Sequence, residues 1–310
     1  MVSVGFFVIF GLGGYYVFKG DIQVGTMLAF ISMFGFLIDP TTTLASVFGT
    51  IQEVKQNSKR VHELLELEEE RYGELKISEI QNNCVNELQF KNVAFGYEDK
   101  KIIDNINWTI ESNQNVLIKG DNGTGKSSLV QLLLKLYSPW EGEILYKKTD
   151  IEQLDNQQWR DLIAYVPQKP RLISGTVAEN IAMSNQNIDM KVVKKAAKAV
   201  SAHEFIIELP EGYNTILGTS NINLSEGEKQ RICIARAIMK DSEIVICDEL
   251  FSSIDVENRT NIIKSLLNLF DSKILIIISH EELDISFDKV LTLNNSITIK
   301  TNRGGIINEE

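Results

Sequence analysis

Basic charge is scarce in this 310-residue chain. Its 31 Lys and Arg stand against 42 Asp and Glu, a formal charge of −11. A surface of that sign repels a phosphate backbone, so nucleic acid is excluded as a partner. Histidine and cysteine are scarcer still, with three of each. Three histidines do not make a His-rich metal site. Cys84, Cys233 and Cys247 form no CxxC pair. That spacing supports neither a zinc module nor a disulfide framework, and reduced thiols in a reducing compartment are expected. Internal repeats and low-complexity tracts are also missing. What remains is 44% hydrophobic and 24% charged, too apolar for a disordered chain.

That apolar content is unevenly spread. Residues 1–18, MVSVGFFVIFGLGGYYVF, carry no charge. Lys19-Gly20-Asp21 is a short polar break. A second apolar stretch then runs from about Ile22 to Ile51, with one charge, Asp39, beside Pro40. A bilayer-crossing helix needs about 20 apolar residues, in a range of roughly 17–25. The first stretch is just long enough and the second is ample. A secretory signal fits poorly, because the basic leader and small-residue cleavage site are missing and another apolar segment follows at once. The expectation is therefore an all-α transmembrane hairpin over residues 1–51. Gly11, Gly13 and Gly14 weaken a soluble helix but allow close packing in a membrane, and Tyr15 and Tyr16 suit an interfacial aromatic belt. Lys55, Lys59 and Arg60 follow the second span. The positive-inside tendency then puts both hairpin ends in the cytosol and Lys19–Asp21 outside. The resulting expectation is a multi-pass plasma-membrane protein with its other residues in the cytoplasm. Richness in Ile, Asn and Lys points to a bacterial chain.

Residues 52–87 read as a stalk and linker. The second helix continues from about Gln52 to Leu67 as an amphipathic stalk, with Val54, Val61, Leu64 and Leu65 on one side. The acidic run Glu66–Glu70 reads as a solvated face, and residues 71–86 as a linker. Residues 88–303 alternate strand and helix patterns, and residues 304–310 are a polar tail.

The chemistry lies in that third segment. The strand-like run Asn115–Lys119 leads into Gly120-Asp121-Asn122-Gly123-Thr124-Gly125-Lys126-Ser127, followed by a helical pattern that begins at Ser128. This is GxxxxGK[ST] in the strand–loop–helix context of a P-loop. Glycines let backbone N–H groups converge on phosphate oxygens, and the helix N-terminus adds its dipole. Lys126 is expected to reach the β- and γ-phosphates of ATP and Ser127 to ligate Mg²⁺. Glu243–Glu249, EIVICDE, is an apolar buried strand ending in two carboxylates. At such a carboxyl end Asp248 is expected on the Mg²⁺ side, with Glu249 turned elsewhere to orient and polarise a water. Cys247, inside that strand, reads as a small core residue.

A third piece, Leu224-Ser225-Glu226-Gly227-Glu228-Lys229-Gln230-Arg231, opens another helix. It resembles the signature LSGGQ-x-QR of ATP-binding cassette proteins. Other landmarks of that family follow in order. Tyr97 matches the aromatic that stacks on adenine, and Gln168, in YVPQ, the Q-loop. Ser253-Ile254-Asp255 resembles the D-loop, and His280 matches the switch histidine. The resemblance covers residues from about 88 to 300. It implies an α/β P-loop NTPase cassette, a mixed-sheet core with a helical subdomain, behind the all-α hairpin. The hairpin and stalk are similar to the fifth and sixth membrane helices of cassette exporters, and SGTVAENI after the Q-loop looks like the exporter subtype.

The resemblance also implies a mechanism. ATP with Mg²⁺ sits in the cradle 120–128, sandwiched against the signature of a second cassette, identical or different. Ser225 and Gly227 touch the γ-phosphate of the partner's ATP. Lys126 and the metal supply charge, Glu249 positions water, His280 holds the γ-phosphate, Gln168 contacts metal and water, and Asp255 communicates across the dimer. Hydrolysis drives translocation through the bilayer. Two departures stand out. Exporters of this type carry six membrane helices and this chain has room for two, so a separate chain supplying the missing helices is one expected partner. The signature reads LSEGE, which puts Glu226 and Glu228 near a triphosphate. The alternatives are a non-transporting remnant that still binds ATP and a soluble cassette switch, against which the apolar residues 1–51 argue.

Overall fold

The computed structural model describes residues 2–66, 70, 73–80, 86–184, 186–218, 223–250, 256–280, 283, 285–294, 297–301 and 306–307. It divides into two compact units, Met1–Glu70 and Arg71–Glu310.

The first unit is a helical hairpin, α1 (Val2–Lys19) and α2 (Val24–Leu65). Gly20, at φ +83°, ends α1. Its N–H donates to Val17 O at 3.0 Å and that of Asp21 to Tyr16 O at 3.0 Å, the paired bonds of a Schellman motif. Two contacts explain glycines on α1. A Cβ on Gly5 would stand 2.4 Å from the Phe34 ring, and one on Gly13 3.0 Å from Met27 Cγ. Glycine here lets the helices approach closely, as in membrane packing. Phe18, Phe36 and Leu37 are among many large apolar side chains left exposed. Among the described residues α2 is long and apolar enough to cross a membrane, while Phe7–Lys19 is apolar but shorter. Span and stalk form a single helix that runs through Pro40 and stops at Leu65.

The second unit begins before the expected domain start. Leu75 bridges Leu154 in parallel, and Ile80 is buried among the core side chains. Residues 73–80, read from the sequence as linker, thus pack onto the cassette, because Leu75, Ile77 and Ile80 supply apolar surface that an extended linker would leave wet. The elements that follow are β1 (Glu87–Tyr97), β2 (Lys100–Glu111), β3 (Asn115–Gly120), α3 (Lys126–Leu133), β4 (Glu141–Tyr146), β5 (Thr149–Asp150), α4 (Asn156–Asp161) and β6 (Ile163–Val166). Then come β7 (Gly175–Thr176), α5 (Val177–Ala182), α6 (Met190–Ala199), α7 (His203–Glu208), β8 (Ile216–Leu217), α8 (Glu226–Met239), β9 (Ile244–Asp248), α9 (Val256–Leu269), β10 (Ile274–Ser279), β11 (Lys289–Leu293), β12 (Ile297–Thr301) and β13 (Ile306–Ile307).

The central sheet has the order β13-β12-β11-β3-β10-β9-β6. It is parallel from β11 to β6, and β12 and β13 add antiparallel edge strands. Side chains of period two divide it into two faces. Val116, Ile118, Ile244, Ile246, Ile274, Ile276 and Ile278 pack with α3 and with the antiparallel sheet β2-β1-β4-β5. Leu117, Val245, Cys247, Leu275 and Ile277 pack with α5, α6, α8 and α9. Strands apolar on both faces are what a sheet covered on both sides requires. The mixed-sheet cassette with a helical part, expected from the sequence, is the observed fold.

Candidate functional site

β3 delivers the chain to the loop 120–125 at its carboxyl end, and α3 carries it away. The loop is shaped by its own residues. Thr124 Oγ1 donates to Asp121 O at 2.9 Å. Gly123 and Gly125 take φ of +84° and +100°, values glycine adopts without steric penalty. A Cβ on Gly125 would also press Ile102 and Ile103 at 3.0 Å each. The first N–H groups of α3 lack intrahelical partners and open onto the loop with the positive end of the helix dipole. Lys126 is buried, and its ammonium donates to the carbonyls of Gly120 at 2.7 Å and Asp121 at 2.9 Å. A buried ammonium needs acceptors, and these two carbonyls supply them.

The loop forms one wall of a cavity of about 480 Å³, also lined by Tyr97, Ile102, Ser127, Ser128, Gln168 and Glu249. That volume is within the usual range for a small-molecule site. Residues far apart in sequence converge there because β1, β3, β6 and β9 end on the same side of the domain.

Glu249 is the hub. Its φ of +46° breaks the line of β9, and its N–H donates to Ile278 O at 3.0 Å. The chain therefore turns after Asp248, and the two adjacent acids occupy different surroundings. Glu249 Oε1 lies 3.7 Å from Lys126 Nζ and 3.6 Å from His280 Nδ1. Glu249 Oε2 accepts from Gln168 Nε2. With its side chain only 12% exposed, the carboxylate is screened from bulk water.

Asp248 is buried, and burial above all raises its carboxyl pKa. The Tyr165 hydroxyl donates to Asp248 Oδ2 at 3.1 Å, which works against that rise. Tyr165 was not among the expected site residues. It faces Asp248 because β6 pairs with β9 and sets Tyr165 beside Ile246, two residues before Asp248 on the same face. Serine, glutamine and carboxylate oxygens suit a hard cation such as Mg²⁺. Among the described residues no group of three or more His, Cys, Asp or Glu is arranged to hold a metal ion. Cys247 points to the opposite face, where burial pushes its thiol up to about 12.

Tyr97, at the end of β1, lines the cavity with a half-buried ring. Ser225 is the N-cap of α8 in a capping box. Its N–H and hydroxyl both donate to Glu228 Oε2, at 2.7 and 2.9 Å, and its Oγ accepts from the Glu228 N–H at 3.3 Å. Glu226 pairs with Lys229 at 2.7 Å. Gly227 sits in the same first turn of α8. Ser225 and Gly227 do not line the cavity of the chain's own P-loop. Asp255 lies outside the described residues.

A second, larger cleft of about 600 Å³ contains no P-loop residue. Pro167 and Lys169, which flank Gln168, line it together with Arg171, Met183, Arg236 and Lys240.

Residues 103–252 match the family model for the ABC transporter. The chain is 34% identical over 278 residues to the ATP-dependent lipid A-core flippase of Syntrophus aciditrophicus (strain SB), covering 90% of this chain and 46% of that one. It is 36% identical over 272 residues to the leukotoxin translocation ATP-binding protein LktB of Mannheimia glucosida, covering 87% and 38%. A solved structure of a bacterial Atm1-family ABC exporter with ATP bound superposes with a TM-score of 0.68 at 29% identity, over 88% of this chain and 48% of that one. The chain thus spans about half the length of these relatives or less. Motifs, mixed sheet and relatives agree: residues 103–252 carry an ATP-binding domain of the ABC transporter family, similar to those of exporters.

Proposed function

We propose that this chain binds ATP with Mg²⁺, hydrolyses it as one of two paired cassettes, and so drives export across a bilayer that its N-terminal hairpin enters. The observation that carries this reading is the convergence of Lys126, Gln168 and His280 on the Glu249 carboxylate at the wall of the P-loop cavity.

In this reading the phosphates enter the loop 120–125 and meet the N–H groups at the start of α3. Lys126 exchanges loop carbonyls for β- and γ-oxygens, and Tyr97 takes the adenine. Ser127 and Asp248, with Gln168 beside them, would hold Mg²⁺, which supplies positive charge to the phosphate oxygens. Phosphoryl transfer depends on positioning and charge neutralisation more than on covalent help. Glu249 accepts a hydrogen bond from the attacking water and aligns it. His280, within reach of the same carboxylate, holds the γ-phosphate. A P-loop leaves one side of the nucleotide open, and Ser225 and Gly227 of a second cassette close it, with Asp255 at the junction.

Gln168 lines the cavity while its neighbours Pro167 and Lys169 line the second cleft. A single loop thus borders both clefts, which supports a role for Gln168 in sensing the membrane part. In this reading the protein is multi-pass and the cassette lies in the cytoplasm, which Lys55, Lys59 and Arg60 after the second span support. The printed names of the flippase and leukotoxin-translocation relatives support a lipid or a toxin as cargo. The test is steady-state phosphate release by the reconstituted chain. Activity that needs Mg²⁺ and Glu249 supports the reading, and activity indifferent to Glu249→Gln opposes it.

A further inference from the structure

We infer that Gln131 is a positioning residue that fixes the Tyr97 ring as a base platform at a set reach from the phosphate loop. The inference rests on the nucleotide reading above and adds a residue to it.

The Tyr97 ring is held on three sides. Phe95 meets it edge-on at 5.1 Å between centroids and 80° between planes. Tyr137 does the same at 5.4 Å and 89°. Such edge-to-face contacts fix a ring's tilt. The hydroxyl is the third point. It donates to Gln131 Oε1 and accepts from Ser128 Oγ at 3.3 Å. Both partners sit on α3, the helix whose first turn forms the phosphate end of the cavity. Gln131 follows Ser127 by four residues, so it lies one turn farther along the same face of α3. A rigid helix turn thus joins the base wall to the phosphate wall. Removing Gln131 leaves the cradle glycines, Lys126 and Ser127 untouched and takes away one of the two bonds that tie the Tyr97 hydroxyl to α3.

This predicts a selective loss. A single hydrogen bond of this type changes affinity by about three- to tenfold. Mg²⁺-ATP and Mg²⁺-tripolyphosphate, which has no base, are titrated onto the full chain in detergent micelles, wild type and Gln131→Leu. ATP affinity falls by about three- to tenfold and tripolyphosphate affinity is unchanged. Tyr97→Phe, which keeps the ring and removes the hydroxyl, gives the same selective loss, and the double variant adds little to either single one. An equal fall for both ligands, or no fall for either, overturns the inference, as does full additivity in the double variant. If Gln131→Leu does not fold, Tyr97→Phe decides by the same two titrations. A wild-type chain that binds tripolyphosphate and ATP equally well removes the base platform. One that binds neither removes the nucleotide reading beneath it, so the two failures are distinguishable.

Discussion

The Glu228 carboxylate holds the Ser225 hydroxyl at 2.9 Å and the Ser225 N–H at 2.7 Å. The side chain that a partner's nucleotide would touch is thus already engaged by an acid of its own helix. Glu228 and Glu226 complement the α8 dipole, but they repel an incoming γ-phosphate. Glu228→Gln keeps acceptor geometry and removes the charge. Light scattering of the full chain carrying Glu249→Gln should show ATP-dependent pairing at a several-fold lower ATP concentration when Glu228→Gln is added. An unchanged or higher requirement would show that Glu228 does not face the nucleotide.

Glu249 differs from Asp248 in what it touches, and the two should fail differently. Glu249→Gln retains an oxygen for Gln168 and loses the charge that orients water. Steady-state turnover should fall at least about 100-fold, with ATP binding within about twofold of wild type. Phosphate release and equilibrium titration on the same preparation check this, and a joint loss of binding and turnover would assign Glu249 to the cradle.

The loop glycines should separate by mechanism. Gly123 has φ +84° with open space at its Cβ, while Gly125 has φ +100° and two isoleucines at 3.0 Å. Gly123→Ala should cost about 1–2 kcal/mol of folding stability from backbone strain alone, and Gly125→Ala more, because the methyl adds a clash. Thermal unfolding of the full chain in detergent reads the order, and equal losses would mean that the isoleucines yield.

Cys247 is fully enclosed between sheet and helices, and burial is the main cause of its raised pKa. The folded thiol keeps its proton to about 12, while an unfolded one loses it near about 8.5. The unfolded chain therefore binds fewer protons in that window, and this group's contribution to stability falls as pH climbs through it. Below about pH 8 the contribution is fully present. A thiol reagent at pH 8 should leave Cys247 unmodified in folded protein, as mass mapping would show. Its modification without unfolding would contradict the burial.

Much of this site could be read in the sequence, because local chemistry dictates it. The P-loop needs glycines, a lysine and a hydroxyl in one short run, and EIVICDE needs only an apolar strand with acids at its end. Pairings set by strand order could not be read. Tyr165 meets Asp248 only because β6 lies beside β9, and Gln131 meets Tyr97 only because α3 packs beneath the end of β1. The Glu249 hub required the positive φ that follows β9, which no propensity announces. Residues 73–80 read as linker in the sequence, yet Leu75 and Ile80 pack onto the domain. Glu228 reads in the sequence as a departure from the signature LSGGQ. Its place three residues after Ser225 is also the spacing of a capping box, a signal present in the sequence.

The most direct test is equilibrium binding of labelled ATP with Mg²⁺ to the full chain in detergent, beside Lys126→Ala. The account predicts saturable binding of one nucleotide per chain that Lys126→Ala removes while the fold, followed by circular dichroism, is retained. A folded wild-type chain that retains no ATP, or one that binds it equally well without Lys126, would contradict the account.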